Sequence, residues 1–466
     1  MNGAGRHILV VAWWFPPLSG GGVHRPLQFV RHLVRRGHRV SVLTGVPPKG
    51  ERLDAALLAK VPPEVRIVRA PLLDPFRAWS WLKERRGGKP VAAAPAPPAA
   101  PPPTARGARW RDLITEAIAL PDRYLPWLPL AVTRAALAFR GGEPELVFST
   151  SPPHTLQLVG SALAGLFHCP LVLDFRDPWM GNPFRRYASE AFRRLDAALE
   201  RRAVAAASEV VLNTPALERS FRARYPGFER VRTIPNGFDP DAYAHLPPPT
   251  GGAHPGGVEL AHFGQLYGLR SGKYLLQGLA TLKERDPAAF ARLRVTFIGG
   301  IDGEAGFRAQ AEQLGVAGAL SIPGALPHAA SLARQRQSDL LLILGPENKE
   351  PEVQVPGKLY EYFASGRPIV TLSRAGGAIA EILALAGVPS ERAEPDDPAA
   401  IATALARSIA ALADPEAKAA AAAGTARFRY DRLGDELLAT FERAWSRGPD
   451  PLPLDPSPAG AVPAGR

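Results

Sequence analysis

Residues 352–371, EVQVPGKLYEYFASGRPIVT, set a cation and a carboxylate one helical turn apart. The charged, proline-broken loop from Glu352 to Gly357 predicts a short helix over Lys358–Ala364. Ser365-Gly366 stops it, and a buried strand starts at Pro368-Ile369-Val370. A helix start exposes unpaired N–H groups and a positive dipole end, so Lys358 in the first turn suits an anion. Glu361 follows three residues later on the same face. Such a pair can hold a phosphate and the hydroxyls of a sugar. The alternative is a plain surface ion pair of little energetic weight.

Four other segments carry chemistry. Ser19-Gly20-Gly21-Gly22 follows the first apolar run and opens a helix, so Gly21 and Gly22 let backbone approach a ligand, with His24 and Arg25 within reach of the same anion. A dinucleotide fingerprint is excluded, because position 25 is Arg rather than Gly and the second strand ends in Thr44-Gly45 rather than an acid. Leu173-Asp174-Phe175-Arg176-Asp177-Pro178-Trp179 puts three charges at the carboxyl end of a strand, where open α/β sheets bind ligands. There, either Asp174 or Asp177 pairs Arg176, or the group acts on a substrate. Ser149-Thr150-Ser151-Pro152-Pro153-His154 ends the preceding strand, and His154 is either a substrate hydrogen-bond donor or a bystander. Gly264-Gln265-Leu266-Tyr267-Gly268-Leu269-Arg270-Ser271-Gly272-Lys273 mirrors the first glycine loop in the second half. Arg270 can fork onto phosphate oxygens, with Lys273 as a point charge. Cations at a helix start are disfavoured unless an anion is present.

These residues need a scaffold of alternating strands and helices. Short Val/Leu/Ile runs predict strands over 8–14, 40–44, 65–69, 146–149, 171–175, 210–213 and 232–234, then over 258–263, 295–299, 320–322, 340–344 and 369–372. The first intervening helix is amphipathic through Val23, Leu27, Val30, Leu33 and Val34, and Gly37 ends it. Later helices are expected near 273–285, 307–314, 327–336, 358–364 and 378–386. The pattern predicts two doubly wound α/β domains facing a central cleft. Residues 1–235 are expected to form the first domain and 236–426 the second, with Ile234-Pro235-Asn236-Gly237 as the hinge. A helix over 427–446 precedes a Pro-rich, disordered tail, 447–466. Residues 87–107, almost all Ala and Pro, read as a solvated insertion.

Composition narrows the partners. The 466 residues carry a net charge of +12, mostly from arginine, which fits nucleic acid, anionic membrane or anionic small molecules. No nucleic-acid-binding signature is present, which favours the last two. The single cysteine, Cys169, excludes a disulfide framework and points to a reducing compartment. No signal peptide or membrane-spanning run is seen, so a cytoplasmic location is expected. Arg25, Arg31, Arg35, Arg36 and Arg39, with Trp13, Trp14, Trp79 and Trp81, are the residues of a peripheral contact with the inner face of an anionic membrane, unless the tryptophans are core.

In order, WWFPPLSGGGVHR, STSPPH, DFRDPW, IPNGFD and PGKLYEYFASGRPIV resemble family 4 glycosyltransferases, the retaining, GT-B-fold, sugar-nucleotide enzymes. The resemblance runs from about residue 7 to 445. It implies two Rossmann-like domains, a donor nucleotide on the C-terminal one, a last helix returning to the N-terminal one, and no metal or other cofactor. It implies that Glu361 accepts the ribose hydroxyls and that Arg270 and Lys273 hold the diphosphate with Gly21 and Gly22 nearby; Lys358, His154, His24 and Arg25 are the further candidates for donor or acceptor contact read from their positions. Two positions depart from the pattern. The family's first paired glutamate falls on Val353, with Glu350 and Glu352 offset, and its catalytic histidine falls on Arg176, before Asp177. Arg176 cannot serve as a base, so it is expected to stabilise charge while Asp177 orients substrate. The implied reaction moves a sugar from a nucleoside-diphosphate sugar to a lipid-linked or glycan acceptor hydroxyl, in cell-surface polysaccharide or glycolipid synthesis. The rivals are a GT-B sugar-nucleotide epimerase and a non-catalytic sugar-nucleotide-binding partner subunit.

Overall fold

The computed structural model describes residues 5–48, 50–51, 53–72, 120–182, 185–248, 257–412 and 424–449. The insertion expected over 87–107, Trp79, Trp81 and the tail beyond 449 lie outside the described residues. Two compact units emerge. The first unit contains Met1–Asn213, Leu217–Ile234 and Gly434–Arg466; the second contains Thr214–Ala216 and Pro235–Leu433.

The first unit holds β1 (His7–Ala12), α1 (His24–Arg35), β2 (Arg39–Gly45), α2 (Ala55–Ala59), β3 (Arg66–Ala70), α3 (Leu128–Ala138), β4 (Leu146–Ser151), α4 (Thr155–Phe167), β5 (Leu171–Phe175), α5 (Glu190–Ala205), β6 (Glu209–Leu212), α6 (Pro215–Arg224, shared with the second unit) and β7 (Val231–Thr233). Its seven strands lie in the order β3-β2-β1-β4-β5-β6-β7, and all pairings are parallel. β1 pairs with β2 through Ile8 and Val40, and with β4 through Ile8 and Leu146. Central strands are buried along their whole length, which is why they read as apolar runs rather than as alternation.

The second unit holds β8 (Val258–Phe263), α7 (Lys273–Arg285), α8 (Pro287–Arg292), β9 (Leu293–Ile298), α9 (Glu304–Gln313), β10 (Leu320–Ser321), α10 (His328–Gln337), β11 (Leu340–Leu344), α11 (Lys358–Ser365), β12 (Ile369–Leu372), α12 (Ala378–Ala386), β13 (Ser390–Ala393) and α13 (Pro398–Ala411). Its strand order is β10-β9-β8-β11-β12-β13, again parallel throughout. α14 (Tyr430–Arg447) begins in the second unit and belongs to the first from Gly434. There Phe441 packs on Phe148, Trp445 donates to the Glu145 carbonyl, and Asp435 meets His32.

β13 has no counterpart among the expected strands. Its sequence, SERA, is polar because it is a half-exposed edge strand. Trp13 is core, packed against Tyr124 and edge-on to Trp127. The aromatic part of the expected membrane surface therefore fails at Trp13, while Trp14 is half-buried. Among the described residues no helix is long and apolar enough to cross a membrane.

Candidate functional site

Both sheets reverse their direction of winding once. In the first unit the chain steps from β1 outward to β3 and then returns to the other side of β1 with β4. In the second it steps from β8 outward to β10 and returns beside β8 with β11. Loops leaving adjacent strands in opposite directions open a crevice at their carboxyl ends, and ligands of such sheets bind there. The glycine loop at 19–22 follows β1, and Ser151–His154 end and follow β4. Gly264–Gly272 follows β8, and Lys358 follows β11. The glycine loop and Ser151–His154 thus lie at the switch point of the first sheet, and Gly264–Gly272 and the segment leading to Lys358 at that of the second, while Arg176 and Asp177 follow β5.

In the second unit Lys358 opens α11, whose N-cap, Gly357, has no side chain to cap it. The Lys358 Nζ lies 3.0 Å from Nε2 of His262 on β8. The imidazole is buried, and its Nδ1 is 3.0 Å from the carbonyl of Leu342 on β11. A carbonyl only accepts, so Nδ1 carries the hydrogen and Nε2 accepts from Lys358. Gly264 makes room for the ammonium: a Cβ there would lie 3.1 Å from Nζ, and its φ of +97° itself favours glycine. Arg270 stands close enough for its charge to act on Lys358 and His262. Its Nε is buried without a hydrogen-bond partner, and its Nη1 reaches only the Tyr267 hydroxyl, at 3.3 Å. Burial, and then Arg270, pull the Lys358 ammonium down to about 7, against the opposing charge of Glu361. Burial, and then Lys358, hold His262 well below the usual imidazole range.

Glu361 is about a quarter exposed. Its Oε1 lies 2.8 Å from His328 Nε2, and its Oε2 accepts from Gln335 at 3.3 Å, both from α10. The carboxylate is therefore presented on a two-donor rest rather than paired with Lys358 one turn away. Sequence reasoning missed His262, His328 and Gln335. His262 reads as one more residue of an apolar strand, and α10 has no pattern of its own that marks a site.

Lys273 is exposed, with its ammonium 4.6 Å from the Tyr274 ring. The anion that its helix start requires is internal. Glu347 Oε1 accepts from the Ser271 and Gly272 amides, at 3.2 and 3.1 Å, and from the Ser271 hydroxyl at 2.8 Å. Glu352, next to the vacant paired-glutamate position, fills another helix start. Its backbone carbonyl and Oε1 accept from the Ala378 and Ile379 amides of α12. A Cβ on Gly377 would stand 2.4 Å from that carboxylate and would displace it from the helix start. Val353 offers only its carbonyl, to the Thr214 hydroxyl.

In the first unit the expectation for Arg25 is corrected. Arg25 is buried rather than turned to a ligand. It forks onto Asp174, at 3.0 and 2.7 Å, and donates to the Ile234 carbonyl at 2.9 Å. Asp174 thus pairs with Arg25, not Arg176, and also accepts from the Thr150 hydroxyl at 2.6 Å. Arg176 donates to three carbonyls: Ser151 at 3.0 Å, Gly22 at 2.7 Å and Pro152 at 3.1 Å. It ties the glycine loop after β1 to the loop after β4, which is a positioning task. His154 is buried and stacked on Trp179, with centroids 5.2 Å apart. Burial, then the charges of Arg185 and Arg176, lower its pKa to about 3, so it is neutral at physiological pH. Asp177 is half-buried, two residues beyond β5. Gly21 is exposed, Gly22 and His24 are half-buried, and α1 starts without a side-chain cap. Among the described residues no cluster of His, Cys, Asp or Glu is arranged to hold a metal ion.

Residues 20–237 match the family model described as a glycosyl transferase 4-like domain. No curated protein matches the chain. Among solved structures, sucrose-phosphate synthase from Thermosynechococcus elongatus is 15% identical, with a TM-score of 0.63 over 95% of this chain and 100% of that one. Anabaena HepE, solved with UDP and glucose, is 17% identical, with a TM-score of 0.57 over 93% and 99%. An E. coli structure titled trehalose-6-phosphate, bound with UDP-2-fluoro glucose, is 13% identical, with a TM-score of 0.61 over 94% and 99%. The fold is GT-B. In this GT-B chain the family match covers the glycine loop, Arg176 and Asp177, and it ends before Arg270, Lys358 and Glu361.

Proposed function

We propose that the protein is a retaining glycosyltransferase that moves a sugar from a nucleoside-diphosphate sugar to an acceptor hydroxyl. One observation carries the donor half: Lys358, Arg270 and the uncapped start of α11 gather positive charge one turn from the carboxylate of Glu361. A diphosphate fits the first group and a ribose diol the second. The Lys358 and Arg270 side chains are held in place before the ligand arrives, so they meet the leaving diphosphate with little reorganisation. In the reaction the bond from the anomeric carbon to the diphosphate oxygen breaks. The acceptor oxygen bonds to the same face, and its proton passes to the departing phosphate. Protein cations take the charge-stabilising role here, so the reading needs no metal and no cofactor beyond the co-substrate. Lys273, though exposed, lies close enough in sequence to meet the outer phosphate or the bulk anion approaching it.

The acceptor is assigned to the first unit, at the carboxyl ends of β1, β4 and β5. Asp177 orients its hydroxyl, with Gly21, Gly22 and His24 alongside. The family match over residues 20–237 and the UDP-sugar ligands of HepE and the E. coli neighbour support the reading. The acceptor class is a lipid-linked glycan of cell-surface polysaccharide or glycolipid synthesis. The place is the cytoplasmic face of the membrane, with exposed Arg35, Arg36 and Arg39 toward the bilayer.

A panel of UDP-, GDP-, ADP-, dTDP- and CDP-sugars tests the assignment by thermal shift and by release of the nucleoside diphosphate. At least one is expected to stabilise the protein and to be turned over, with the anomeric configuration kept in the product. Binding and turnover of none refutes the function. Near-normal turnover in both Arg270→Ala and Glu361→Ala removes the site.

A further inference from the structure

We propose, on the basis of the donor-site reading above, that His262 is the positioning residue of the diphosphate seat and that Lys358, held on it, takes up a proton from solution when a nucleoside diphosphate binds. His262 lies on β8, and its Nδ1 hydrogen bond reaches across to β11, the other strand of the switch point. The Tyr362 hydroxyl approaches the same Leu342 carbonyl, at 3.4 Å. The ring is therefore pinned in one orientation and one tautomer, with its Nε2 lone pair facing Lys358.

The groups around Lys358 leave its positive charge poorly compensated. From β8 comes a neutral ring, and from the loop after β8 comes a second cation, Arg270. From β11 comes only the Leu342 carbonyl, already serving His262. From its own helix comes Glu361, whose carboxylate is engaged by His328 and Gln335 of α10. Its direct partner at 3.0 Å is thus an imidazole rather than a carboxylate. Burial and Arg270 both favour the neutral amine, and its pKa of about 7 agrees with that geometry. A diphosphate placed against Lys358 and Arg270 reverses the balance and favours the ammonium. The proton goes from water or buffer to the Nζ lone pair, and no other bond changes. The donor is then met by a full charge only when it is present, and an empty site does not hold two unscreened cations together.

Calorimetry in buffers of different ionisation enthalpy counts the protons, with UDP, GDP, ADP, dTDP and CDP as probes. For whichever binds, wild type is expected to take up close to one proton at pH 8 and almost none at pH 6, as linkage to a group titrating near 7 requires. Lys358→Arg keeps a permanent cation, so it is expected to bind still while the uptake at pH 8 disappears. His262→Gln is expected to lower the uptake at pH 8 to less than half, because the amine is no longer held on a fixed lone pair. Binding without uptake in wild type, or uptake unchanged in Lys358→Arg, overturns the proton linkage alone. Uptake and affinity unchanged in His262→Gln overturn the positioning role. Failure of all five diphosphates to bind overturns the donor-site reading as well.

Discussion

Arg25 separates the local look of the sequence from the fold, and replacing it with methionine decides between them. As a glycine-loop residue it would contact an anion, and its loss would abolish transfer while leaving stability unchanged. In the structure it is 2% exposed and forks onto Asp174, which is fully buried. Arg25→Met would leave that carboxylate in the core with only the Thr150 hydroxyl and no counter-charge. Removing one member of a buried pair costs about 3–5 kcal/mol. The Ile234 carbonyl loses its donor too, at about 1 kcal/mol. Arg25→Lys keeps the charge but not the two-pronged geometry, so a smaller loss of about 1–3 kcal/mol is expected. The double variant Arg25→Met/Asp174→Leu removes both charges and should recover most of the deficit. The five tryptophans among the described residues, Trp13, Trp14, Trp127, Trp179 and Trp445, all fall within the first unit, so fluorescence during urea unfolding follows that unit. Nucleotide binding by the second unit is expected to stay near wild type in conditions where the variant is folded. The reasoning is refuted if Arg25→Met unfolds at the wild-type urea midpoint, or if the double variant is no more stable than the single one.

Three other outcomes are expected. Glu361→Ala should weaken a ribonucleoside diphosphate by roughly 10- to 150-fold, the loss of a charged hydrogen-bond acceptor at about 1.5–3 kcal/mol; the 2′,3′-dideoxy analogue should bind both proteins alike, and an equal loss for both ligands would dismiss the ribose role. His7, His32, His38, His154 and His262 all have lowered folded-state pKa values, chiefly through burial. Below about pH 6.5 the unfolded chain binds more protons than the folded one, so stability falls as pH drops. His154, at about 3, accounts for roughly 2 kcal/mol between pH 6.5 and 5; an NMR titration midpoint above 6 for its ring would contradict this. Liposomes rich in anionic lipid should float the protein at low salt and release it at high salt, and the triple change Arg35→Ala/Arg36→Ala/Arg39→Ala should weaken flotation; flotation that is absent at low salt removes the membrane assignment.

The parallel sheets were legible because the central strands are buried along their whole length and carry runs of Val, Leu and Ile, and of the strands only β13, a polar edge strand, left no trace. Helix α11 was legible because a proline-broken loop opens it and Gly366, at φ +70°, closes it. The placement of Arg270, Lys358 and Glu361 at one sheet's carboxyl ends follows from strand order, which short βα units make predictable. What could not be read is where each polar side chain finds its partner. Arg25 and Asp174 are 149 residues apart, and nothing local marks either as buried. Trp13 and Trp14 are neighbours on β1's exit, yet one is core and the other half-buried. Both lie beyond the last residue of β1, Ala12, so the packing around that bend, and not strand alternation, decides which ring enters the core.

The caps decide where an external anion can bind. Among the described residues the chain spends six of its own carboxylates on helix starts: Asp54 at α2, Asp122 on the Thr155 amide and hydroxyl of α4, Glu347 at α7, Asp286 at α8, Glu352 at α12 and Asp397 at α13. A phosphate arriving at any of these would meet a negative group already holding the amides, and repulsion would add to the lost hydrogen bonds. α1 and α11 start without a side-chain cap, the first after a run of glycines and the second with a lysine. Arg270 sits between the two kinds of ground: its own loop leads to the filled start of α7, yet its charge reaches Lys358 on α11. Glu347 thus removes the nearer helix start as a rival and leaves the guanidinium's unpartnered Nε for the other. In the second unit the start of α7 is closed by a carboxylate and the start of α11 is left open beside Arg270, which supports α11 as the proposed seat of a diphosphate.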